Sequence, residues 1–131
     1  MSRNILIVDD HANFRFLIRE WLRDAFPYHG ILEAKSGEEA VVLASKERID
    51  VILMDIRLPE MNGIEATRRI KEIKPQVPIV MVSAFGDPEY QAAASAAGAS
   101  AYLIKQSVWS TLLPTLTALL FNSDKMMERG K

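Results

Sequence analysis

Five short apolar runs alternate with amphipathic stretches along the chain, and this alternation constrains the fold more than any other feature. The runs are rich in Ile, Val and Leu, as is typical of β-strands. They are NILIVDD (4–10), GILEA (30–34), DVILMD (50–55), VPIVMVS (77–83) and SAYLIK (100–105). Four are nearly all apolar, which indicates strands covered by helices on both faces. Glu33 interrupts the second run, which is therefore predicted to lie at a sheet edge.

The segments between the runs carry helix signals. Apolar residues recur at helical spacing in 12–26. Polar residues followed three positions later by Glu predict N-caps, in the pairs Ser36/Glu39 and Asn62/Glu65. Asp87 followed by Pro88 predicts a further helix start, and Gly98 predicts its end. The order of strands and helices predicts an α/β fold with a parallel sheet and right-handed crossovers.

The last helix and the residues after it are harder to place. Ser107 is a candidate N-cap for this helix, whereas Pro114 inside SVWSTLLPTLTALLF predicts a kink or a later start. The stretch NSDKMMERGK (122–131) is polar and without a cap. We expect one domain over 1–121 and a polar tail or the start of a linker over 122–131.

Composition excludes several classes of function. The 131 residues carry a net charge of −1 with acids and bases interspersed, which argues against direct binding to nucleic acid or membranes. The absence of cysteine excludes disulfides and thiolate metal sites. The N-terminal apolar stretch is too short for a signal peptide, and no run has the length of a membrane span. We therefore expect a cytoplasmic protein.

Four of the five predicted strands end in residues with chemically useful side chains. These residues are Asp9 and Asp10, Asp55, Ser83 and Lys105. In open α/β sheets, ligands bind outside the carboxyl ends of the strands, where the strand order reverses. If strands one, three, four and five are neighbours and strand two is at the edge, these side chains converge on one crevice.

Three carboxylates, one hydroxyl and one ammonium group restrict the chemistry of such a crevice. Two unit charges ~4 Å apart repel by roughly 4 kcal/mol at an effective dielectric of about 20, and Lys105 alone cannot neutralise three acids. A hard divalent cation would neutralise the remaining charge, and Mg²⁺ is the usual cation where phosphate is also bound. An Asp carboxylate can act as a nucleophile and form an acyl phosphate. The cation and Lys105 would offset the charge of a transferring phosphoryl group, and Ser83 would donate a hydrogen bond to it.

With these residues in place, the chain resembles a response-regulator receiver domain of two-component signalling over about residues 3–121. The resemblance is carried by ILIVDDH, by MDIRLPEMNG with Pro59 and Gly63, by VMVSAF, and by AYLIK with Tyr102 and Lys105. It implies a single-domain, flavodoxin-like (βα)5 sandwich whose parallel five-stranded sheet has the order 2-1-3-4-5. DDHANF and the lack of proline after Lys105 are most similar to receivers of helix-turn-helix DNA-binding regulators. An output domain of that kind is absent from this chain.

The resemblance also implies roles for individual residues. Asp55 is the expected phosphoacceptor. Its phosphoryl group would come from a histidine kinase phosphohistidine, a phosphotransfer protein or a small phosphodonor. Asp10, Asp55 and the backbone carbonyl of Arg57 are expected to bind Mg²⁺, with Asp9 contacting it through water. Lys105 would pair with the phosphoryl oxygens. The domain would catalyse its own phosphorylation and autodephosphorylation without being a metabolic enzyme.

Ser83 and Tyr102 are the expected switch pair, in which the hydroxyl moves to the phosphate and the aromatic ring turns inward. The switched surface would meet a partner or form a homodimer through the 88–121 face. Trp109, Leu113 and Phe121 either belong to the core or form an exposed apolar part of this face. Phe85 follows Ser83 closely and is expected to restrict the access of water to the site.

Several alternatives stay open. A phosphohydrolase of the haloacid-dehalogenase type also uses a strand-end Asp, but it needs a second acid two residues later, where this chain has Arg57. An interaction module with the same fold and no phosphorylation is the other alternative. Because Gln106 follows Lys105 instead of the proline found in many receivers, the geometry of this peptide bond is open. His11 and His29 are predicted to be surface residues, with His11 adjoining a site that already has enough ligands.

Overall fold

In the computed structural model, the described chain runs from Arg3 to Arg129, with side chains described as far as Phe121. Strands and helices alternate throughout this part of the chain. The strands are β1 Asn4–Val8, β2 Gly30–Ala34, β3 Val51–Asp55, β4 Ile79–Ser83 and β5 Ala101–Ile104. The helices are α1 Ala12–Ala25, α2 Gly37–Lys46, α3 Gly63–Ile73, α4 Pro88–Ala97 and α5 Val108–Arg129, with a 3-10 turn over Lys105–Ser107.

The strands form one parallel sheet in the order β2-β1-β3-β4-β5, which confirms the predicted fold and places β2 at an edge. The registers bring the strand ends into line. Val8 pairs with Met54, Asp55 pairs with Val82, and Ser83 pairs with Ile104. The residues that follow these ends therefore share one edge of the sheet, next to the point where β1 and β3 lie side by side.

Helices cover both faces of the sheet, as the apolar strands predict. Leu6 and Val8 of β1 pack with residues of α2, α3 and α4, whereas Ile5 and Ile7 pack with residues of α1 and α5. This alternation follows from the two-residue period of a strand. Each fully buried Leu or Ile side chain contributes roughly 1.5–3 kcal/mol relative to an exposed one. The two cores hold the sheet rigidly enough to position side chains at its edge.

Most of the predicted helix caps are confirmed. Ser36 and Asn62 each accept a hydrogen bond from the backbone N–H three residues later, at 3.1 and 2.9 Å. Pro88 occupies the first position of α4, although the Asp87 side chain makes no capping bond. Gly98 ends α4 with φ of 107°, a left-handed conformation that glycine adopts without strain.

The last helix differs from its prediction in two ways. It begins at Val108, before Pro114, and continues through it, so the predicted later start is wrong. The Ser107 hydroxyl donates to the carbonyl of Ile104 at 3.3 Å within the 3-10 turn that precedes the helix. The helical backbone continues to Arg129, whereas residues 130–131 and the side chains of the predicted tail lie outside the described residues. The boundary between domain and tail at residue 121 stays a prediction.

Two further questions from the sequence are answered by the described residues. Peptide bonds in this part of the chain are trans, including the one between Lys105 and Gln106. None of the helices searched combines the length and apolarity that crossing a membrane requires.

Candidate functional site

Lys105 and two buried acids form the centre of the site. The Lys105 Nζ atom lies 2.8 Å from Asp9 Oδ2 and 3.3 Å from Asp55 Oδ2. The side chains of Asp9 and Asp55 are only 3% and 4% exposed. Asp9 follows β1, Asp55 ends β3 and Lys105 follows β5, so the sheet register brings together residues that are far apart in sequence.

Asp10 and His11 complete the acidic side of the site. The Asp10 side chain is 37% exposed, and its Oδ1 atom lies 3.2 Å from His11 Nδ1. One possible ligand atom from each of Asp9, Asp10, His11 and Asp55 lies within 4.8 Å of the others. The predicted convergence of the three carboxylates is therefore present in the structure.

The electrostatics of the centre are unbalanced. Burial raises the pKa of Asp55, and the charge of Asp9 raises this pKa further, against the opposing effects of Lys105 and of the Arg57 N–H. That N–H donates to Asp55 Oδ1 at 3.2 Å. Burial alone would lower the pKa of Lys105, but its hydrogen bond with Asp9 and the charges of Asp55 and Asp9 raise it overall. Lys105 thus stays charged, yet it does not remove the cost of ionising Asp55.

The donor set fits a hard divalent cation. Asp9, Asp10 and Asp55 supply carboxylate oxygens, which are the side-chain ligands that Mg²⁺ prefers. A cation bound here would offset the repulsion that raises the pKa of Asp55. The three carboxylates therefore fit the Mg²⁺ ion expected from the sequence, whereas the roles of the individual ligands stay predictions.

Ser83 and Tyr102 both bind the backbone of Phe85. Ser83 is buried, and its hydroxyl accepts a hydrogen bond from the Phe85 N–H at 3.1 Å. The Tyr102 hydroxyl donates to the Phe85 carbonyl at 2.6 Å. The two residues of the predicted switch pair therefore hold the same peptide segment of the β4–α4 loop.

The side chain of Phe85 is engaged as well. The guanidinium of Arg57 lies over its ring, 4.2 Å from the centroid, although the ring is still exposed. This cation–π pair joins the loop after β3 to the loop after β4. That Phe85 restricts the access of water to the site stays a prediction.

Gly63 explains why the loop after Asp55 needs a glycine. A Cβ atom at this position would overlap the backbone carbonyl of Asp55. The Gly63 N–H donates to the carbonyl of Ile56 at 2.8 Å, so α3 begins against the end of β3. Gly63 thus allows the start of α3 to lie directly against the backbone of the central acid.

Sequence reasoning missed two residues that support the site. Arg15 donates to the backbone carbonyl of Asp9 at 2.7 Å and to Glu33 Oε1 at 3.0 Å, which ties the β1–α1 loop to the edge strand. Phe14 lies under Lys105, with Nζ 4.5 Å from the ring centroid. The signal for the Arg15 contact was Glu33, an acid that interrupts an apolar strand.

The two histidines lie in different environments. The side chain of His11 is 64% exposed, but its Nδ1 atom faces the acids. His29 is mostly buried, with Nε2 3.6 Å from Asp50 Oδ2 and its ring against Phe26. The prediction that His29 is a surface residue is therefore wrong.

A doubly wound α/β domain with three acids and a lysine at the carboxyl edge of its sheet defines a class of cation- and phosphoryl-binding domains. Comparison with known families narrows this class. Residues 5–117 match the family described as "Response regulator receiver domain". The chain belongs to this family, as the sequence motifs indicated.

Similar proteins agree with this assignment. The chain is 38% identical over 102 residues to the transcriptional regulatory protein DegU of Brevibacillus brevis, a match that covers 78% of this chain and 43% of that protein. It therefore spans less than half the length of this curated relative. The resemblance to receivers of transcriptional regulators is confirmed.

Solved structures show the same fold. A CheY-like receiver domain protein from Methanospirillum hungatei superimposes with a TM-score of 0.88 at 26% identity, covering 96% of this chain and 99% of that one. The response regulator TrrA from Thermotoga maritima, in complex with Mg²⁺-BeF, gives a TM-score of 0.80 at 30% identity. That match covers 92% of this chain and 100% of the TrrA chain.

Proposed function

We propose that this receiver domain is the phosphoacceptor of a two-component phosphorelay and that Asp55 carries the phosphoryl group. The observation that supports this most directly is the position of Asp55. It lies buried at the end of a central strand, with Lys105 3.3 Å from one carboxylate oxygen and Asp9 and Asp10 close by. A carboxylate in this position can attack a phosphorus atom while a fixed cation faces the same oxygen.

The transfer is a displacement at phosphorus. An Asp55 carboxylate oxygen forms the new O–P bond, and the N–P bond of a kinase phosphohistidine breaks, leaving the imidazole to take up a proton. Lys105 offsets the charge on the phosphoryl oxygens, as expected for an ammonium held close to the acceptor. Hydrolysis of the acyl phosphate by water restores the carboxylate, so the domain also catalyses its own dephosphorylation.

The proposed cofactor is Mg²⁺. Asp10, Asp55 and the backbone carbonyl of Arg57 would hold it directly, and Asp9 would contact it through water. When bound, Mg²⁺ supplies positive charge that stabilises both the ionised acceptor and the transferring group. The presence of Mg²⁺-BeF in the TrrA structure supports this assignment for a similar chain.

The proposed switch acts through Phe85. A phosphoryl group adds about −1.5 to −2 charges and three acceptor oxygens next to Ser83, whose hydroxyl can then donate to it. Ser83 would exchange its hydrogen bond with the Phe85 N–H, at 3.1 Å, for one with the phosphoryl group. Because Tyr102 holds the carbonyl of the same residue, movement of this segment would release or redirect the Tyr102 ring.

The proposed partners follow from this switch. A sensor histidine kinase or a phosphotransfer protein supplies the phosphoryl group, which favours a cytoplasmic location. The 88–121 face would meet a partner or a second copy of the chain. It exposes three large apolar side chains, Trp109, Leu113 and Phe121. An output domain is proposed for the whole protein by analogy with DegU, of which this chain spans 43%.

Labelling with a small acyl phosphate and Mg²⁺ tests this proposal. Intact-mass measurement is expected to show one added phosphoryl group in the wild type and none in Asp55→Asn. The matched control is Asp24→Asn, which neutralises an exposed acid of α1 and is expected to label normally. Equal labelling of Asp55→Asn and the wild type would overturn the assignment of Asp55.

Labelling, stabilisation by Mg²⁺ and turnover of a phosphate ester, measured on the wild-type protein, together separate the alternatives. A wild-type protein that is neither labelled nor stabilised by Mg²⁺ would point to an interaction module that works without phosphorylation. Turnover of a generic phosphate ester would point to the phosphohydrolase. The structure gives that enzyme no support, because the residue two positions after Asp55 is Arg57, whose guanidinium stacks on Phe85.

A further inference from the structure

His11 points a nitrogen atom at all three acids of the site. Its Nδ1 atom lies 3.0 Å from Asp9 Oδ1, 3.2 Å from Asp10 Oδ1 and 3.9 Å from Asp55 Oδ2. Two of these distances are within hydrogen-bonding range, so the ring nitrogen faces two carboxylates at once. Together with the three acids it forms one compact group, in which one potential ligand atom from each of the four residues lies within 4.8 Å of the others.

These separations have the values that ligands of one metal ion show. With metal–ligand bonds of about 2.1 Å, neighbouring ligands of an octahedral ion lie about 3.0 Å apart and opposite ligands about 4.2 Å apart. The distance from Nδ1 to Oδ1 of Asp10, one of the proposed direct ligands, is 3.2 Å and matches that of neighbouring ligands. The distance from Nδ1 to Asp55 Oδ2, 3.9 Å, lies between the two values and thus within the span of one coordination sphere.

The backbone fixes His11 in this position. Its N–H donates to Asp9 Oδ1 at 2.8 Å, and its carbonyl accepts from the Arg15 N–H at 3.0 Å, the first hydrogen bond of α1. The residue is the N-cap of this helix. Because the ring itself is 64% exposed, Nε2 can carry the imidazole proton and leave the Nδ1 lone pair to a metal.

We propose that His11 is an additional ligand of the cation site, through which the site takes a nitrogen-binding transition-metal dication, of the Ni²⁺ or Zn²⁺ type, in competition with Mg²⁺. The proposal rests on the proposed function only for the presence of a cation between the three acids. Mg²⁺ is satisfied by oxygen ligands, whereas imidazole is a preferred ligand of Zn²⁺, Ni²⁺ and Cu²⁺. The sequence prediction that the site has enough ligands without His11 therefore applies to Mg²⁺ alone.

Equilibrium titration of the full chain with Ni²⁺ and with Mg²⁺ tests this assignment. His11→Asn removes the imidazole but keeps a side chain that is favourable at a helix N-cap. Ni²⁺ binding is expected to weaken by about tenfold or more, in the range for losing an interaction at a metal site. Mg²⁺ binding is expected to stay within about twofold, because its oxygen ligands are retained. Excess Mg²⁺ is expected to displace Ni²⁺ from the wild type, because both use the same carboxylates.

His29→Asn is the matched control, because His29 is the other histidine of the chain and lies beside Asp50, outside the site. With Cu²⁺ as the probe, electron paramagnetic resonance reports a nitrogen ligand directly. Nitrogen coupling is expected in the wild type and in His29→Asn, and it is expected to vanish in His11→Asn. His11→Gln provides a second variant should the asparagine protein fail to fold.

Two results would overturn the inference. The first is Ni²⁺ binding in folded His11→Asn that equals the wild type, and the second is a wild-type Cu²⁺ spectrum without nitrogen coupling. Either would mean that Nδ1 only hydrogen-bonds to the acids. Failure of the proposed function is recognised separately, by a wild type that neither binds Mg²⁺ nor accepts a phosphoryl group.

Discussion

The ammonium group of Lys105 lies nearer to Asp9 than to Asp55, at 2.8 Å against 3.3 Å. The Lys105 ammonium, which is expected to face the phosphoryl group, is thus shared between Asp55 and a second buried acid, Asp9. This sharing keeps Lys105 charged, as its raised pKa indicates, but leaves the three carboxylates with one fixed positive charge between them. Under the proposed function, a bound cation would supply the missing positive charge, and unfolding measurements test its effect on stability.

Neutralising Asp55 is expected to stabilise the metal-free protein. Burial and the charge of Asp9 raise the pKa of Asp55 in the native state. A raised native pKa means that stability is fully present below the unfolded-state pKa and is lost as pH rises through the native one. At neutral pH, Asp55→Asn is thus expected to be more stable by on the order of 1 kcal/mol.

Urea unfolding without Mg²⁺ measures this gain. The stability difference between Asp55→Asn and the wild type is expected to shrink as pH falls through the native pKa of Asp55. The wild-type carboxyl then becomes protonated and neutral as well. Asp24→Asn serves as the control and is expected to leave stability nearly unchanged, since this acid is exposed on α1. A less stable Asp55→Asn protein at neutral pH would contradict the electrostatic account.

Mg²⁺ is expected to stabilise the wild type by mass action. A ligand that binds only the native state, at 100 times its dissociation constant, adds about 2.7 kcal/mol. Asp10→Asn removes one of the proposed direct ligands and is expected to lose most of this increment, with a smaller effect on stability in EDTA because Asp10 is partly exposed. The measurement is urea unfolding with and without Mg²⁺ at matched ionic strength. An equal increment in both proteins would exclude Asp10 as a ligand.

Removing the Phe85 ring is expected to shorten the lifetime of the acyl phosphate. Phe85→Ala abolishes the stacking of Arg57, at 4.2 Å, and removes the ring that is predicted to restrict the access of water. Hydrolysis is therefore expected to be faster in Phe85→Ala than in the wild type, because water reaches the acyl phosphate more easily. The decay of the phosphorylated mass after donor removal reports this rate.

Phe85→Tyr is the control for this change because it keeps an aromatic face under Arg57. Its dephosphorylation rate is expected to stay close to that of the wild type. If the alanine and tyrosine proteins lose phosphate at the same rate as the wild type, the ring does not control the access of water.

Local patterns could be predicted from the sequence because they depend on nearby residues, whereas the strand order was predicted from the resemblance to receiver domains. The caps at Ser36 and Asn62 and the turn at Gly98 are short-range features, and the structure confirms them. The convergence of Asp9, Asp55 and Lys105 followed from that strand order together with the rule that ligand-binding residues lie at the carboxyl ends of parallel strands. These parts of the fold required no knowledge of how helices pack on the sheet.

Contacts that depend on helix packing could not be predicted. Arg15 and Glu33 are separated by 18 positions and meet because α1 lies across the edge strand β2 at a particular rotation. The approach of His11 Nδ1 to three acids depends in the same way on the start of α1. The path of α5 through Pro114 is a tertiary effect, since its buried face packs against the sheet despite the proline.

The link between Arg15 and the acid pair leads to the last prediction. Arg15→Ala removes hydrogen bonds of 2.7 Å to the Asp9 carbonyl and 3.0 Å to Glu33. Hydrogen bonds that involve charged groups contribute about 1.5–3 kcal/mol, so urea unfolding is expected to show a loss in this range. Mg²⁺ affinity is expected to fall as well, because the loop that carries Asp9 and Asp10 loses its tie to β2.

Arg23→Ala is the matched control, because Arg23 forms an exposed ion pair with Glu20 on the same helix. Such pairs contribute about 0–1 kcal/mol, and this variant is expected to bind Mg²⁺ normally. Combining Arg15→Ala with Glu33→Ala separates the two contacts of Arg15. If Mg²⁺ affinity falls as much in Glu33→Ala as in Arg15→Ala, the tie to β2 positions the acids. If it falls in Arg15→Ala alone, the bond to the Asp9 carbonyl is sufficient.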